Sequence, residues 1–207
     1  MVFRISRWII RRLLRLFFGF TVVGRHHEPQ TGPVIVVSNH LSDLDALVIG
    51  SALRRPVSYM AKEELFTPPL LRWWVTACGA FPVRRGAPDR RAFRTALEVL
   101  RRGGVLVMFP EGTRGRDRTL RPPEPGAAML ALRTGAPLLP AAILGTDLVF
   151  PRDARRLRRS RITVRLGLPI HIGGRSHGSG TDGSRRNRED VEEVGRLYMR
   201  EIGRLLA

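Results

Sequence analysis

A chain of 207 residues with 43% hydrophobic composition is long enough for one sizeable core and too short for two independent enzymatic domains. Its single cysteine, Cys78, excludes an intramolecular disulfide; with no zinc-type Cys/His spacing around it, it reads as a small buried residue. The net charge of +18 demands an anionic partner or surface, and because Lys62 is the only lysine, the excess is carried by arginine.

The first element in chain order is a basic amphipathic helix over residues 1–19. Arg4, Arg7, Arg11 and Arg15 recur every three or four residues and share one helical face. Ile5, Ile9, Leu13, Leu16 and Phe17 lie opposite, with Trp8 and Arg12 at the boundary. This pattern predicts a helix lying in a membrane interface, with its apolar side among acyl chains and its arginines at anionic headgroups. Arginines interrupt every window of about 20 residues, which excludes a membrane-spanning helix. Arg15 and the missing cleavage pattern exclude a signal peptide. The bland alternative packs the apolar side on the domain and leaves the arginines in water.

Next come a short strand at "TVV", a turn around Pro29 and Gly32, and a buried strand from Val34 to Val37. Asp43 to Arg55 predicts a helix stopped by Pro56, and "VSYM" a strand. The Trp-rich stretch "FTPPLLRWWVTACG" leads into "AFPV"; Trp73 and Trp74 are taken as core, with an acyl tunnel as the alternative. Asp89 to Arg102 predicts a helix ended by Gly103 and Gly104. "VLVMF" is the clearest buried strand and runs into a loop at "PEGTRGR". Gly126 to Arg133 predicts a helix, "APLLPAAIL" a strand and "ITVRLGLPI" a late strand. This alternation predicts one α/β domain over residues 20–172, a mixed and mostly parallel sheet covered by helices. Residues 173–187, rich in Gly, Ser and Arg, predict a flexible connector. Residues 188–207 predict a helix packed on the domain through Val191, Val194, Leu197, Ile202 and Leu205.

The stretch "SNHLSDLD" carries the sharpest chemical signal. His40 and Asp45 would stand about 140° apart on a continuous helix, so they can pair only across a strand-to-helix turn. Folded that way, the carboxylate would hold one imidazole nitrogen and leave the other as a general base. The competing reading is a capping box, Ser42 to Asp45, closing the helix start. "FPEGTR", Phe109 to Arg114, follows the best strand, at the strand ends where open α/β sheets bind ligands. Arg114 offers a planar fork for phosphate. "GAFPVRRG" places two arginines at another strand end.

Taken together, these blocks resemble the glycerolipid acyltransferases typified by 1-acyl-sn-glycerol-3-phosphate acyltransferase. "NHLSDLD" matches that family's first block at Asn39, His40 and Asp45. "GAFPVRR" is similar to the second at Gly79, Phe81 and Arg85, with Arg84 where an acidic residue is common. "FPEGTR" matches the third, and "APLLPAAI", with Pro137 and Pro140, resembles the fourth. "AKEELF" around Lys62 is similar to a segment between the first two blocks.

The resemblance implies that His40 deprotonates an acceptor hydroxyl, which attacks an acyl thioester, while Asp45 orients the imidazole. It implies an acceptor site of Arg85, Glu111, Gly112, Thr113 and Arg114, supported by Asn39, Lys62, Gly79, Phe81 and Pro140. It also implies acyl-CoA or acyl-carrier protein as donor, a lysophospholipid acceptor, no metal or cofactor, and a peripheral or monotopic position on the cytoplasmic face of the cell membrane. His26, His27, His171 and His177 are taken as solvated loop residues. Two other classes remain open: a noncatalytic membrane-bound relative, and a nonspecific nucleic-acid binder using the Arg-rich run Pro151 to Arg161.

Overall fold

Val34, Ile35, Val36 and Val37 are all fully buried, and their strand sits at the middle of the sheet because both of its faces must be covered. The computed structural model of the protein describes residues 2–84, 89–115, 119–151, 154, 156–172 and 181–207, with residues 2–4 and 181–187 described by backbone alone. Within them lie β1 (Thr21–Val23), β2 (Val34–Ser38), β3 (Val57–Lys62), β4 (Ala80–Val83), β5 (Val105–Met108), β6 (Leu138–Leu144) and β7 (Thr163–Leu166). They form one sheet in the order β1-β7-β6-β2-β5-β3-β4. Every pairing is parallel except β6 with β7, so the mixed, mostly parallel sheet predicted from the alternation is present.

Parallel neighbours require crossovers, and helices supply several of them. α1 (Val2–Phe18), α2 (Asp45–Ala52), α3 (Pro69–Ala77), α4 (Arg90–Arg101), α5 (Gly126–Thr134), α6 (Thr146–Val149) and α7 (Thr181–Leu206) surround the sheet. Alternation along β2 divides the core. Val34 and Val36 point to a cluster containing Val48, Ile49 and Leu53 of the α2 segment and Leu14 of α1. Ile35 and Val37 point to the other, with Leu97, Leu130 and Tyr198 from α4, α5 and α7. Each such buried large apolar side chain contributes about 1.5–3 kcal/mol.

Three elements differ from expectation. The Trp-rich stretch is a helix, α3, with Pro69 at its start, where a missing N–H costs nothing. Regular pairing of the late strand stops at Leu166, and only an isolated bridge from Ile170 to Leu138 follows; Pro169 cannot donate to a ladder. The C-terminal helix begins at Thr181, so residues 181–187 are helical rather than connector; residues 173–180 lie outside the described residues. Tyr198 and Met199 join Val194 and Ile202 in its buried face.

The orientation of α1 overturns the bland alternative. Ile5, Trp8, Ile9, Leu13, Leu16 and Phe17 are exposed, while Leu14 is buried. Arg7 donates through Nη1 to the carbonyls of Leu53 and Arg54, and Arg25 donates to Leu53. Carbonyls at the end of a helix lack intrahelical donors, so arginine from α1 is drawn against the end of α2 and the apolar face turns outward. Burial, together with neighbouring Arg25, Arg15 and Arg7, lowers Arg11 to about 10.

Candidate active site

β2 ends at Ser38 and α2 begins at Asp45, and the turn between them folds His40 back onto the helix start. His40 Nδ1 and Asp45 Oδ2 are 2.9 Å apart. The same oxygen accepts the N–H of Leu41 at 2.7 Å and of Ser42 at 2.8 Å. Leu44 N–H donates to Ser42 Oγ at 3.3 Å. Asp45 is the first residue of α2, and the helix carries no side-chain cap; its carboxylate instead ties together the turn before the helix and orients the imidazole. With Nδ1 donating to Asp45, Nε2 carries the free lone pair.

Three further groups fix His40. Its N–H donates to Glu111 Oε1 at 3.0 Å, and its carbonyl accepts the Gly115 N–H at 2.8 Å. The Phe109 ring stacks on the imidazole with centroids 4.2 Å apart. The segment after β5 thus clamps the histidine on both sides of its backbone and on one ring face. Phe109 lies within a block singled out from sequence, yet only the packed structure reveals its stacking role.

Asn39 extends the sheet. Its side-chain amide donates to the Ile143 carbonyl at 2.9 Å and accepts the Ile143 N–H at 2.8 Å, reproducing a peptide group's pairing with β6. Glu111 is buried, and its second oxygen accepts the Arg121 N–H at 3.3 Å, so it organises backbone rather than offering a carboxylate to a ligand. Gly112 has φ +68, a left-handed turn that favours glycine; it and Thr113 are exposed. Gly79 has φ +93, and a Cβ there would lie 2.2 Å from the Val57 carbonyl oxygen. Only glycine lets the end of α3 pass this close to β3. Phe81 packs in the second core cluster, and Pro140, opposite Val37 in β6, accepts the Gly167 N–H.

A cavity of about 260 Å³ opens beside this turn, lined by His40, Asp43, Lys62, Phe109 and Arg114 together with a largely apolar wall. Ile10 of α1, Leu47 of α2, Tyr59 of β3 and Leu71, Trp74 and Val75 of α3 belong to that wall. Trp74 therefore lines a cavity rather than the core, while Trp73 is exposed. Cys78 also lines it; burial raises its thiol above the usual range. Tyr59 is pushed up by burial as well.

The structure brings His40, Asp45, Lys62 and Arg114 to one place. Arg84 pairs with Glu63 at 3.2 Å on the surface and does not line the cavity, and Arg85 lies outside the described residues. Arg114 Nη1 is 2.6 Å from Asp43 Oδ2. His26 is exposed, but His27 Nδ1 is 2.8 Å from the Leu166 carbonyl oxygen, so His27 is anchored rather than simply solvated; His177 lies outside the described residues. Among the described residues, no group of three or more His, Cys, Asp and Glu side chains is placed to hold a metal ion.

The site is thus an α/β sheet that presents a carboxylate-oriented histidine beside a largely apolar cavity. The acyltransferase family model matches residues 19–144, and the chain belongs to that family. It is 29% identical over 159 residues to a chloroplastic 1-acyl-sn-glycerol-3-phosphate acyltransferase of Brassica napus, covering 75% of this chain and 46% of that protein. It is 34% identical over 181 residues to the lyso-ornithine lipid O-acyltransferase of Pseudomonas aeruginosa, covering 80% and 68%. The crystal structure of the 1-acyl-sn-glycerophosphate acyltransferase PlsC from Thermotoga maritima superposes with a TM-score of 0.77 at 28% identity, covering 99% of this chain and 80% of that one. The chain spans about half the length of the first plant relatives it matches.

Proposed function

We propose that the protein transfers a fatty acyl group from an acyl thioester to the free hydroxyl of a lysophospholipid, with 1-acyl-glycerol 3-phosphate as acceptor and phosphatidic acid as product. The observation that carries this reading is the 2.9 Å His40–Asp45 pair beside an apolar cavity. His40 Nε2 takes the hydroxyl proton as the acceptor oxygen attacks the thioester carbonyl. Asp45 holds the resulting imidazolium. Collapse of the tetrahedral intermediate breaks the carbon–sulfur bond, and the same Nε2–H protonates the departing thiolate. No acyl-enzyme forms, and the chemistry calls for no metal or cofactor.

The donor is acyl-CoA or acyl-carrier protein, its chain lying along the apolar wall formed by Leu47, Leu71, Trp74 and Val75. Arg114 and Lys62, which line the same cavity, supply positive charge for the acceptor phosphate, and the block Arg85 shares with the family gives it the same task. The enzyme works as a peripheral or monotopic protein on the cytoplasmic face of the cell membrane. Its exposed apolar α1 face supports this reading: six large apolar side chains point away from the domain, flanked by arginines suited to anionic headgroups. Among the described residues, no helix is long and apolar enough to cross a membrane.

The test is transfer from labelled acyl-CoA, and separately from acyl-carrier protein, to lysophosphatidic acid, other lysophospholipids and lyso-ornithine lipid. The reading expects phosphatidic acid and free thiol in equal amounts, with no acyl adduct on the intact protein by mass spectrometry. Transfer confined to lyso-ornithine lipid would reassign the acceptor. Silence with both donors and every acceptor would favour the noncatalytic reading.

A further inference from the structure

Arg7, Arg11 and Arg15 follow one another at four-residue intervals along one side of α1, and that side meets Arg25 and Arg54. The guanidinium groups of Arg7 and Arg25 converge on a single acceptor, the Leu53 carbonyl oxygen, at 3.1 and 3.3 Å. Burial first, then Arg54, lowers Arg25, with Glu28 opposing. Burial again comes first for Arg11, and every charge acting on it is another arginine. Glu28 is buried, and its two oxygens accept the backbone N–H groups of Arg54 and Arg55, so the acid that acts on Arg25 is tied to backbone. The Nε atoms of Arg11 and Arg25 are buried without an acceptor among the described residues, although buried N–H groups are as a rule paired. Positive charge and donors here exceed what the described chain offers them.

We propose that this arginine cluster is a second phosphate site, filled by the headgroup of an anionic membrane lipid and distinct from the acceptor site. Arg11, Arg15, Arg25 and Arg54 do not line the cavity that holds His40 and Arg114. Arg11 and Arg25 form the half-buried inner wall of the site, and Arg15 and Arg54 its exposed rim. Planar guanidinium groups suit the oxygens of a phosphate, which brings both the missing negative charge and the missing acceptors. Continuity argues for the lipid source: the same helix turns Ile9, Leu13 and Leu16 outward, so a bilayer that receives them sets its headgroups level with the arginines beside them. That source rests on the membrane contact proposed above and not on acyl transfer. Arg7 lines the cavity together with Ser6 and Ile10 of α1, so a lipid that draws α1 onto the domain also holds one wall of the cavity in place.

Sedimentation of the full chain with phosphatidylcholine vesicles, with and without phosphatidylglycerol, tests the lipid, and thermal unfolding in inorganic phosphate tests the site. Arg12→Gln removes the same charge from the exposed side of α1, where Arg12 lies over Trp8, and is expected to weaken binding to the anionic vesicles about fivefold, the effect of one surface charge. Arg11→Gln and Arg25→Gln are each expected to weaken it about thirtyfold, because a charge-assisted hydrogen bond is lost as well. Equal losses in all three variants would overturn the inference and leave only diffuse attraction. Inorganic phosphate is expected to raise the Tm of the wild type and of Arg114→Gln above that in chloride of equal ionic strength, and most of this rise to vanish in Arg11→Gln and Arg25→Gln. A rise that survives in both cluster variants would overturn the inference too. A phosphate-dependent rise in a wild type that shows no preference for phosphatidylglycerol would make free phosphate the ligand and sink the lipid assignment. Neither readout uses turnover, so an absence of acyl transfer would count against the proposed function alone.

Discussion

The ring of Phe109 lies parallel to the imidazole of His40, with centroids 4.2 Å and planes 20° apart. One face of the base is thereby held by an apolar wall, while Asp45 fixes its edge. Phe109→Leu removes the stacked plane and keeps most of the volume. The expected result is a fall in kcat of about tenfold with little change in KM, since misplacing a catalytic group costs the chemical step rather than binding. Steady-state kinetics with saturating acyl-CoA check it.

Glu111 predicts a stability effect of its own. Its carboxylate satisfies the N–H groups of His40 and Arg121, and Glu111→Ala removes the acceptor of both. The His40 N–H is buried and costs about 1–3 kcal/mol when stranded, while the exposed Arg121 can turn to water, so urea unfolding should show a loss of roughly that size. Glu111→Gln keeps one acceptor oxygen and should lose less.

Cys78 reports on the cavity through its acidity. Burial raises the thiol, opposed by a hydrogen bond with Ser6. The thiolate is the reactive form, and a free thiol is half ionised near about pH 8.5. Alkylation of the folded protein by iodoacetamide should therefore accelerate only at a higher pH than that of a free thiol. Saturating acyl-CoA should slow it further, because Cys78 lines the cavity. Labelling that follows the free-thiol profile and ignores acyl-CoA would contradict this placement.

The outward face of α1 makes a prediction about membranes. Ile9 and Leu13 are exposed, and each would gain about 1.5–3 kcal/mol on entering an apolar layer. Replacing both with Asp should reduce sedimentation with anionic vesicles at least tenfold while leaving the circular dichroism spectrum of the domain in place. Equal sedimentation of the two proteins would remove α1 as the anchor.

The sequence made some of these features visible and hid others for physical reasons. "VIVV" is readable as a central strand because a strand buried on both faces has no polar alternation to lose. The pairing of His40 with Asp45 is readable because both residues lie in one turn. Glu111 is not, because its partner at His40 is 71 residues away and only β5 lying beside β2 brings them together. Trp73 and Trp74 look alike in the sequence, yet adjacent helical residues point about 100° apart, and only the packed α3 tells which one meets the cavity. The faces of α1 are evident from spacing, but which one turns inward depends on carbonyls at the end of α2 that need Arg7.

The most direct measurement of the central claim is kcat/KM for acyl transfer to lysophosphatidic acid by the wild type, His40→Ala and Asp45→Asn. The account predicts a loss of about 10²–10⁴-fold in His40→Ala, the usual contribution of a general base. It predicts a large loss in Asp45→Asn as well, where an oxygen remains to accept from Leu41 and Ser42 but the negative charge is gone. Transfer by His40→Ala at the wild-type rate would show that the chemistry lies elsewhere and would contradict the account.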